Sequence, residues 1–220
     1  MKRIFPLLLA GLLVFLLAAC GAPAAPALPD ADSDGSPALK LDTLNVEFAI
    51  GERDADELMR LQAELPPLLL SALENENVTV ETVSITFGAS AEATAQALED
   101  GSVDVAFLPS EAFVLSDPPL RLIAVENMSV PAGEYFPDID FAALPDVAAD
   151  SPIYENIVAG SDDTPVALGA AFSRALVMLC ASADGNAVMQ RYGSASYLIS
   201  GHPGTLLTPL VTCLTLEVEE

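Results

Sequence analysis

Apolar residues change their spacing several times along this chain, and each change predicts an element. From Leu44 to Ile50 they alternate, the period of a half-buried strand. Asp54 with Glu57 resembles a capping box, and Leu58, Leu61, Leu65, Leu68 and Ala72 then recur at helical spacing. Pro66 and Pro67 lack the N–H a helix interior needs, which predicts a kink or a split there. Val78 to Thr86 is β-branched and strand-like, and Ser90 can cap a helix that runs to Asp100 and stops at Gly101. Val103–Leu108 and Leu120–Val125 read as buried strands. Strands alternating with helices predict βαβ units, so the fold class is α/β with a parallel sheet.

Beyond residue 125 the pattern loosens. Pro131, Pro137, Pro145, Pro152 and Pro165 break up residues 126–165, which read as an irregular Pro/Asp-rich connection with one short strand near Ile153–Val158. From Val166 a helix is clear, with Leu168, Phe172, Ala175, Leu176 and Leu179 on one face. Asp184 and Gly185 are expected to turn the chain before a second helix that Gly193 ends. The tail from Thr205 is apolar, with an interruption at Pro209.

The N-terminus has a different character. Lys2 and Arg3 precede an apolar run from Ile4 to Ala19 that ends at Cys20, the layout of an export signal over residues 1–19. The run falls short of the about 20 residues a secure transmembrane helix needs. Leu17, Ala18, Ala19, Cys20 and Gly21 resemble the lipobox of bacterial lipoproteins. That resemblance implies cleavage before Cys20, thioether lipidation of its sulfur and acylation of the new terminus, and several acyl chains anchor stably to the membrane. The protein would then face outside the cytoplasm. Residues 20–41 hold the lipidated Cys20 and a Pro/Ala/Asp linker that lifts the domain off the membrane. Asp30, Asp32, Asp34 and Gly35 match the start of a calcium loop, but its twelfth position would be Leu41, so an acidic linker is the reading.

Composition narrows the partners. There are 32 acidic and 8 basic residues, a net charge of −24, yet mean hydropathy is +0.45. Such acidity excludes a nucleic-acid binder, which needs a basic footprint. Processing removes Lys2 and Arg3 and no acid, leaving six bases against 32 acids, a net −26. Cys180 and Cys213 remain, and outside the cytoplasm two states are open: a Cys180–Cys213 disulfide or two buried thiols. No CxxC spacing suggests a metal or redox site.

A family resemblance rests on three segments: GERDADELMRLQAELPPLLLSAL after the first strand, VTVETVSI, and above all ATAQALEDGSVDVAFLPSEAFVL. From Leu44 to Leu115 they resemble the N-terminal lobe of periplasmic substrate-binding proteins of phosphate, phosphite and phosphonate ABC transporters. FSRALVMLCASADGNAVMQRYGSASYL is similar to the family's ending, where the chain returns to the first lobe. The resemblance implies a type II binding-protein lobe with a mainly parallel sheet flanked by helices. Residues 42–125 supply its N-terminal part and 166–220 the helices that complete it. It also implies a small-molecule solute, an oxyanion in the family's pattern, and an ABC permease as partner. Residues 126–165 are too short for the usual second lobe, which is therefore expected to be reduced or absent. The family's Ser-Thr-Ser phosphate loop has no counterpart there, and Ala91 and Phe113 stand where tyrosines are usual.

Ligand-contact candidates follow from the place where open α/β sheets bind, beyond the strands' carboxyl ends. Ser110 with the amides of Glu111 and Ala112 could hold an anion, the alternative being a simple N-cap. Ser90 and Thr94 invite the same comparison. Phe113 could stack on a ligand or sit in the core. Arg53, just after a strand, is the base placed to face the carboxyl edge, against a surface ion pair as the plainer role. Asp104, at the start of an apolar strand, needs backbone amides to satisfy it. His202 is the single histidine, and GxSxG, HExxH, P-loop and GxGxxG motifs are all missing, so neither catalysis nor a cofactor is expected. Solute binding is the first reading. The alternative is a cell-envelope interaction lipoprotein that keeps the scaffold without transport, and a hydrolase built on paired acids ranks last.

Overall fold

A computed structural model describes residues 38–49, 53–117, 119–192, 196–199 and 203–219. Cys20, the signal, the aspartates of the linker and His202 lie outside the described residues. The chain enters on β1, Leu39–Ala49, whose Leu44, Val46 and Phe48 are buried on one face. Its first residues belong to the stretch read as linker. Pairing of Leu39, Lys40 and Leu41 with Val78, Thr79 and Val80 makes them strand, a backbone effect that side-chain alternation does not reveal.

Helix α1 (Ala55–Glu74) begins as expected, with the Asp54 carboxylate accepting from the Asp56 amide at 2.7 Å. The break at Pro66 and Pro67 is a corrected expectation, because both prolines lie inside one continuous helix. The carbonyls they leave without an intrahelical donor belong to Gln62 and Ala63, which are exposed, so solvent can satisfy them. Leu61, Leu65, Leu69 and Leu73 are buried on the opposite side and hold the helix to the sheet.

Strand β2 (Val78–Gly88) is followed by α2 (Ala91–Glu99), β3 (Val105–Pro109), the short α3 (Ser110–Val114) and β4 (Arg121–Glu126). After α2 the chain turns through Gly101, whose φ of 69° is costly for any residue with a Cβ. Asp104 satisfies the expectation set for it: its carboxylate accepts from the Asn45 amide at 2.7 Å and its own amide donates to the Asn45 carbonyl.

The stretch 126–165 holds more order than its prolines suggested. It forms β5 (Ser129–Pro131), α4 (Ala132–Tyr135), a single 3-10 turn at Phe141–Ala143, β6 (Pro152–Tyr154) and β7 (Asn156–Gly160). β7 is a central strand, inserted between β3 and β4 and antiparallel to both. Its Ile157, Val158, Ala159 and Gly160 are all buried, the mark of a strand covered on both faces. Helix α5 (Val166–Ala181) then leads at Ser182 into α6 (Ala183–Gln190), with a bend of 98° between them. The turn therefore comes before Asp184 and Gly185, which lie inside α6. Ser182 makes it by accepting from the Gly185 amide. A two-residue strand β8 (Tyr197–Leu198) and helices α7 (Pro203–Leu206) and α8 (Thr208–Glu219) complete the chain, and Pro209 falls in the first turn of α8, where its missing N–H costs nothing.

The main sheet has the order β2-β1-β3-β7-β4-β8, with β1 to β4 running one way and β7 and β8 the other. Helices cover both faces. On one, α1, α5 and α6 pack Leu61, Leu65, Phe172 and Leu176 over Leu44, Val46 and Val105. On the other, Leu98 of α2 and Leu207 meet Ala106, Leu108, Val125 and Ile157. Where a second lobe would stand, between β4 and β7, there is the two-stranded β5–β6 ribbon, closed by a small cluster of Phe136, Val147 and Ile153 against Leu210 and Cys213. Among the described residues no single helix is long and apolar enough to cross a membrane.

Candidate functional site

The carboxyl ends of β1 to β4 form one edge of the sheet, where α2 and α3 start and where open α/β sheets leave room for ligands. Aromatic residues run across this edge on the α5 side. Phe48 pairs in register with Phe87 on one neighbour and Phe107 on the other. The Phe48 and Phe107 rings stack at 4.2 Å, and Phe107 meets Tyr197 edge-on at 6.0 Å. Phe87 and Phe107 are half-buried. Beyond this row, at the end of β4, stands Glu126, directly opposite Tyr197 on β8. It is 4% exposed, and its carboxylate accepts from the Asn156 side-chain amide at 2.8 Å. Among the described residues that amide is its hydrogen-bond partner, and no arginine or lysine faces it.

The residues singled out from sequence take other roles. Ser110 is fully buried. Its hydroxyl donates to the Tyr154 carbonyl, and its amide donates to the Glu155 carbonyl at 2.8 Å. It thus fastens the start of α3 to the β6–β7 junction, and neither an anion contact nor a side-chain N-cap is left to it. Glu111 is likewise engaged, its carboxylate accepting from the Tyr135 hydroxyl at 2.8 Å. Phe113 packs against the second cluster, the core alternative.

Ser90 is the N-cap of α2, accepting from the Ala93 amide. Its hydroxyl also holds the Glu92 carboxyl below the usual carboxylate range. Thr94 is fully buried, and its hydroxyl, pressed against Gly88, has no hydrogen-bond partner among the described residues. Arg53 does not offer a free charge to the edge. It donates to the Arg191 and Tyr192 carbonyls at 2.7 and 3.1 Å, capping the end of α6, and lies over the Tyr192 ring. The disulfide is not formed, because Cys180 belongs to the cluster under α1 and α5 while Cys213 belongs to the small cluster beside the ribbon.

A cleft of about 470 Å³ opens between α2 and α3. Glu92, Glu99, Glu111 and Asp117 line it, with Gln96 and Ala112 between them. Four carboxylates around an opening repel an oxyanion. Among the described residues no group of histidine, cysteine and acidic side chains is arranged to hold a metal ion.

The chain matches no protein-family model and no characterised relative by sequence. Solved structures do share its fold. XAC2383 from Xanthomonas citri, in structures bound to chloride ion and to ATP, aligns over 79% of this chain and 97% of its own, with a TM-score of 0.56 and 8% identity. PhnD1 from Prochlorococcus marinus (MIT 9301), in complex with methylphosphonate, aligns over 77% of this chain and 98% of its own, with a TM-score of 0.48 and 9% identity. The chain shares the α/β fold of XAC2383.

Within that fold, Glu126, Asn156, Phe107 and Tyr197 are the grouping that sequence reasoning missed. One signal was present: Glu126 ends the apolar run Leu122–Val125 as Asp104 begins another. Its neighbours come from β7 and β8, about 30 and 70 residues further along the chain, so no local pattern could group them.

Proposed function

We propose that this protein is a solute-binding lipoprotein, held outside the cytoplasm by lipid on Cys20, that takes up a small molecule without chemistry and passes it to an ABC permease. The observation that carries the reading is the carboxyl edge of the sheet, where a buried carboxylate and half-buried aromatic rings gather at the position open α/β sheets use for ligands. The likeness of fold to XAC2383, bound to ATP or chloride in its structures, supports it. Phosphate and phosphonate-like solutes belong to the reading through the sequence resemblance.

The second reading, an envelope interaction lipoprotein that keeps the scaffold without transport, draws on a different observation. Ser110 and Arg53 are tied to the chain's own carbonyls, and a ribbon occupies the place of a closing lobe.

Thermal unfolding separates the two. A solute at a hundred times its Kd stabilises the native state by about 2.7 kcal/mol, which in a domain of this size raises Tm by about 5–10 °C. The first reading expects such a rise with one or more members of a panel of phosphate, methylphosphonate, ATP and small organic solutes. A Tm unmoved by the whole panel overturns it in favour of the second.

A further inference from the structure

We infer that the solute taken at this edge is a small organic cation, bearing an amine, guanidine or quaternary ammonium group, with Glu126 as its counter-charge. The inference rests on the solute-binding reading and names the substrate class of that site. Its starting point is an unbalanced charge. Glu126 is 4% exposed and receives one neutral hydrogen bond, from Asn156. A buried carboxylate is costly unless a cation compensates it, and an isolated amide donor supplies only part of that compensation.

Among the described residues no cation is paired with Glu126: Lys40 and Arg60 are exposed on β1 and α1, and the other four are engaged elsewhere. Arg53 caps α6, Arg121 donates to the Thr164 and Asp162 carbonyls at the opposite end of β4, Arg174 pairs with Glu76 and Arg191 with Glu64. The carboxylate is held in place at the carboxyl edge of the sheet, and among the described residues no opposite charge answers it.

The surroundings of Glu126 suit an organic cation better than a metal ion. Tyr197 stands opposite it on β8 and Phe107 lies edge-on to Tyr197, half-buried, with Phe48 stacked behind. Aromatic faces beside a carboxylate attract alkylammonium and guanidinium groups through the ring quadrupole and through contact with their carbon atoms. A divalent metal would need several oxygen or nitrogen ligands, and the described residues bring no such group together. The wider field agrees: with a net charge of −24, the molecule concentrates cations near its surface and repels anions.

The test uses the full mature chain in detergent, with choline, putrescine and agmatine as cationic probes and phosphate, methylphosphonate and ATP as anionic ones, read by Tm and by calorimetric titration. At least one cationic probe is expected to raise Tm by several degrees while the anions do not. Glu126→Gln, which keeps the shape and the Asn156 contact, should weaken that binding about 30-fold or more. Glu155→Gln removes the same charge from an exposed neighbour and should leave it unchanged. If Glu126→Gln does not fold, Asn156→Ala serves instead, since it alters an exposed residue and frees the carboxylate; a changed affinity for the cationic probe is then expected. Binding that survives Glu126→Gln, or a cationic response untouched by Asn156→Ala, overturns the assignment. A response to an anionic probe alone overturns it too, yet leaves the solute-binding reading standing. Silence from all six probes removes both.

Discussion

Individual residues in this protein are often committed to the fold where their chemistry suggested a ligand. Ser110 and Arg53 both direct their hydrogen bonds to backbone carbonyls of distant segments, three from Ser110 and two from Arg53. A serine or arginine at a strand end looks the same in sequence whether it faces solvent, a ligand or its own chain, because the partner carbonyls lie 44 to 139 residues away. Cys180 is a sharper case. Burial pushes its thiol from an ordinary value of 9.0 up to about 11. The neutral thiol is favoured in the native state, so stability should fall as pH rises from 9 toward 11, where the unfolded chain ionises first. At pH 8 the native protein is therefore expected to be silent toward a thiol reagent at Cys180, and guanidinium should expose both Cys180 and Cys213. A native chain in which Cys180 reacts at the rate of a free thiol would contradict the burial.

At the scale of elements, the strong periodic segments were legible and the weak ones were not. α1, α2 and α5 follow their apolar spacing, and Ser90 and Asp54 cap the helices they were expected to cap. β7 was half seen, as a short strand, and its place in the middle of the sheet was hidden because a uniformly apolar stretch carries no period. The corner between α5 and α6 was set too late by two residues, since Gly185 reads as a turn former. Its real role is steric. A Cβ on Gly185 would stand 2.2 Å from the Leu179 carbonyl oxygen and 2.7 Å from the Ser182 hydroxyl. Gly185→Ala should therefore cost about 1–3 kcal/mol, as overpacking does, and lower the midpoint of urea unfolding. An unchanged midpoint would mean that the corner can open without loss.

For the molecule as a whole, charge and anchoring act together. An acidic domain is repelled by an anionic bilayer, so the lipoprotein reading proposed above leaves the attachment to lipid on Cys20. Cys20→Ser is expected to move the protein from the membrane fraction to the soluble exported fraction in cells, with the Tm of the folded domain unchanged. Retention of that variant in the membrane would point to another means of attachment. The same charge favours cations over anions at the sheet edge, with rates of capture that fall as salt screens the field.

By itself the sequence determined the α/β class, the order of the first elements and the export and lipidation expectation, because these follow from local spacing and short motifs. Only the tertiary structure decided which residues share the sheet's carboxyl edge. Strand order places β7 and β8 beside β4, and this brings Asn156 and Tyr197 to Glu126 across long stretches of chain. It also decided that Ser110, Arg53 and Glu111 are spent within the fold. Hydrogen bonds over such separations depend on packing, and packing is a property of the whole chain.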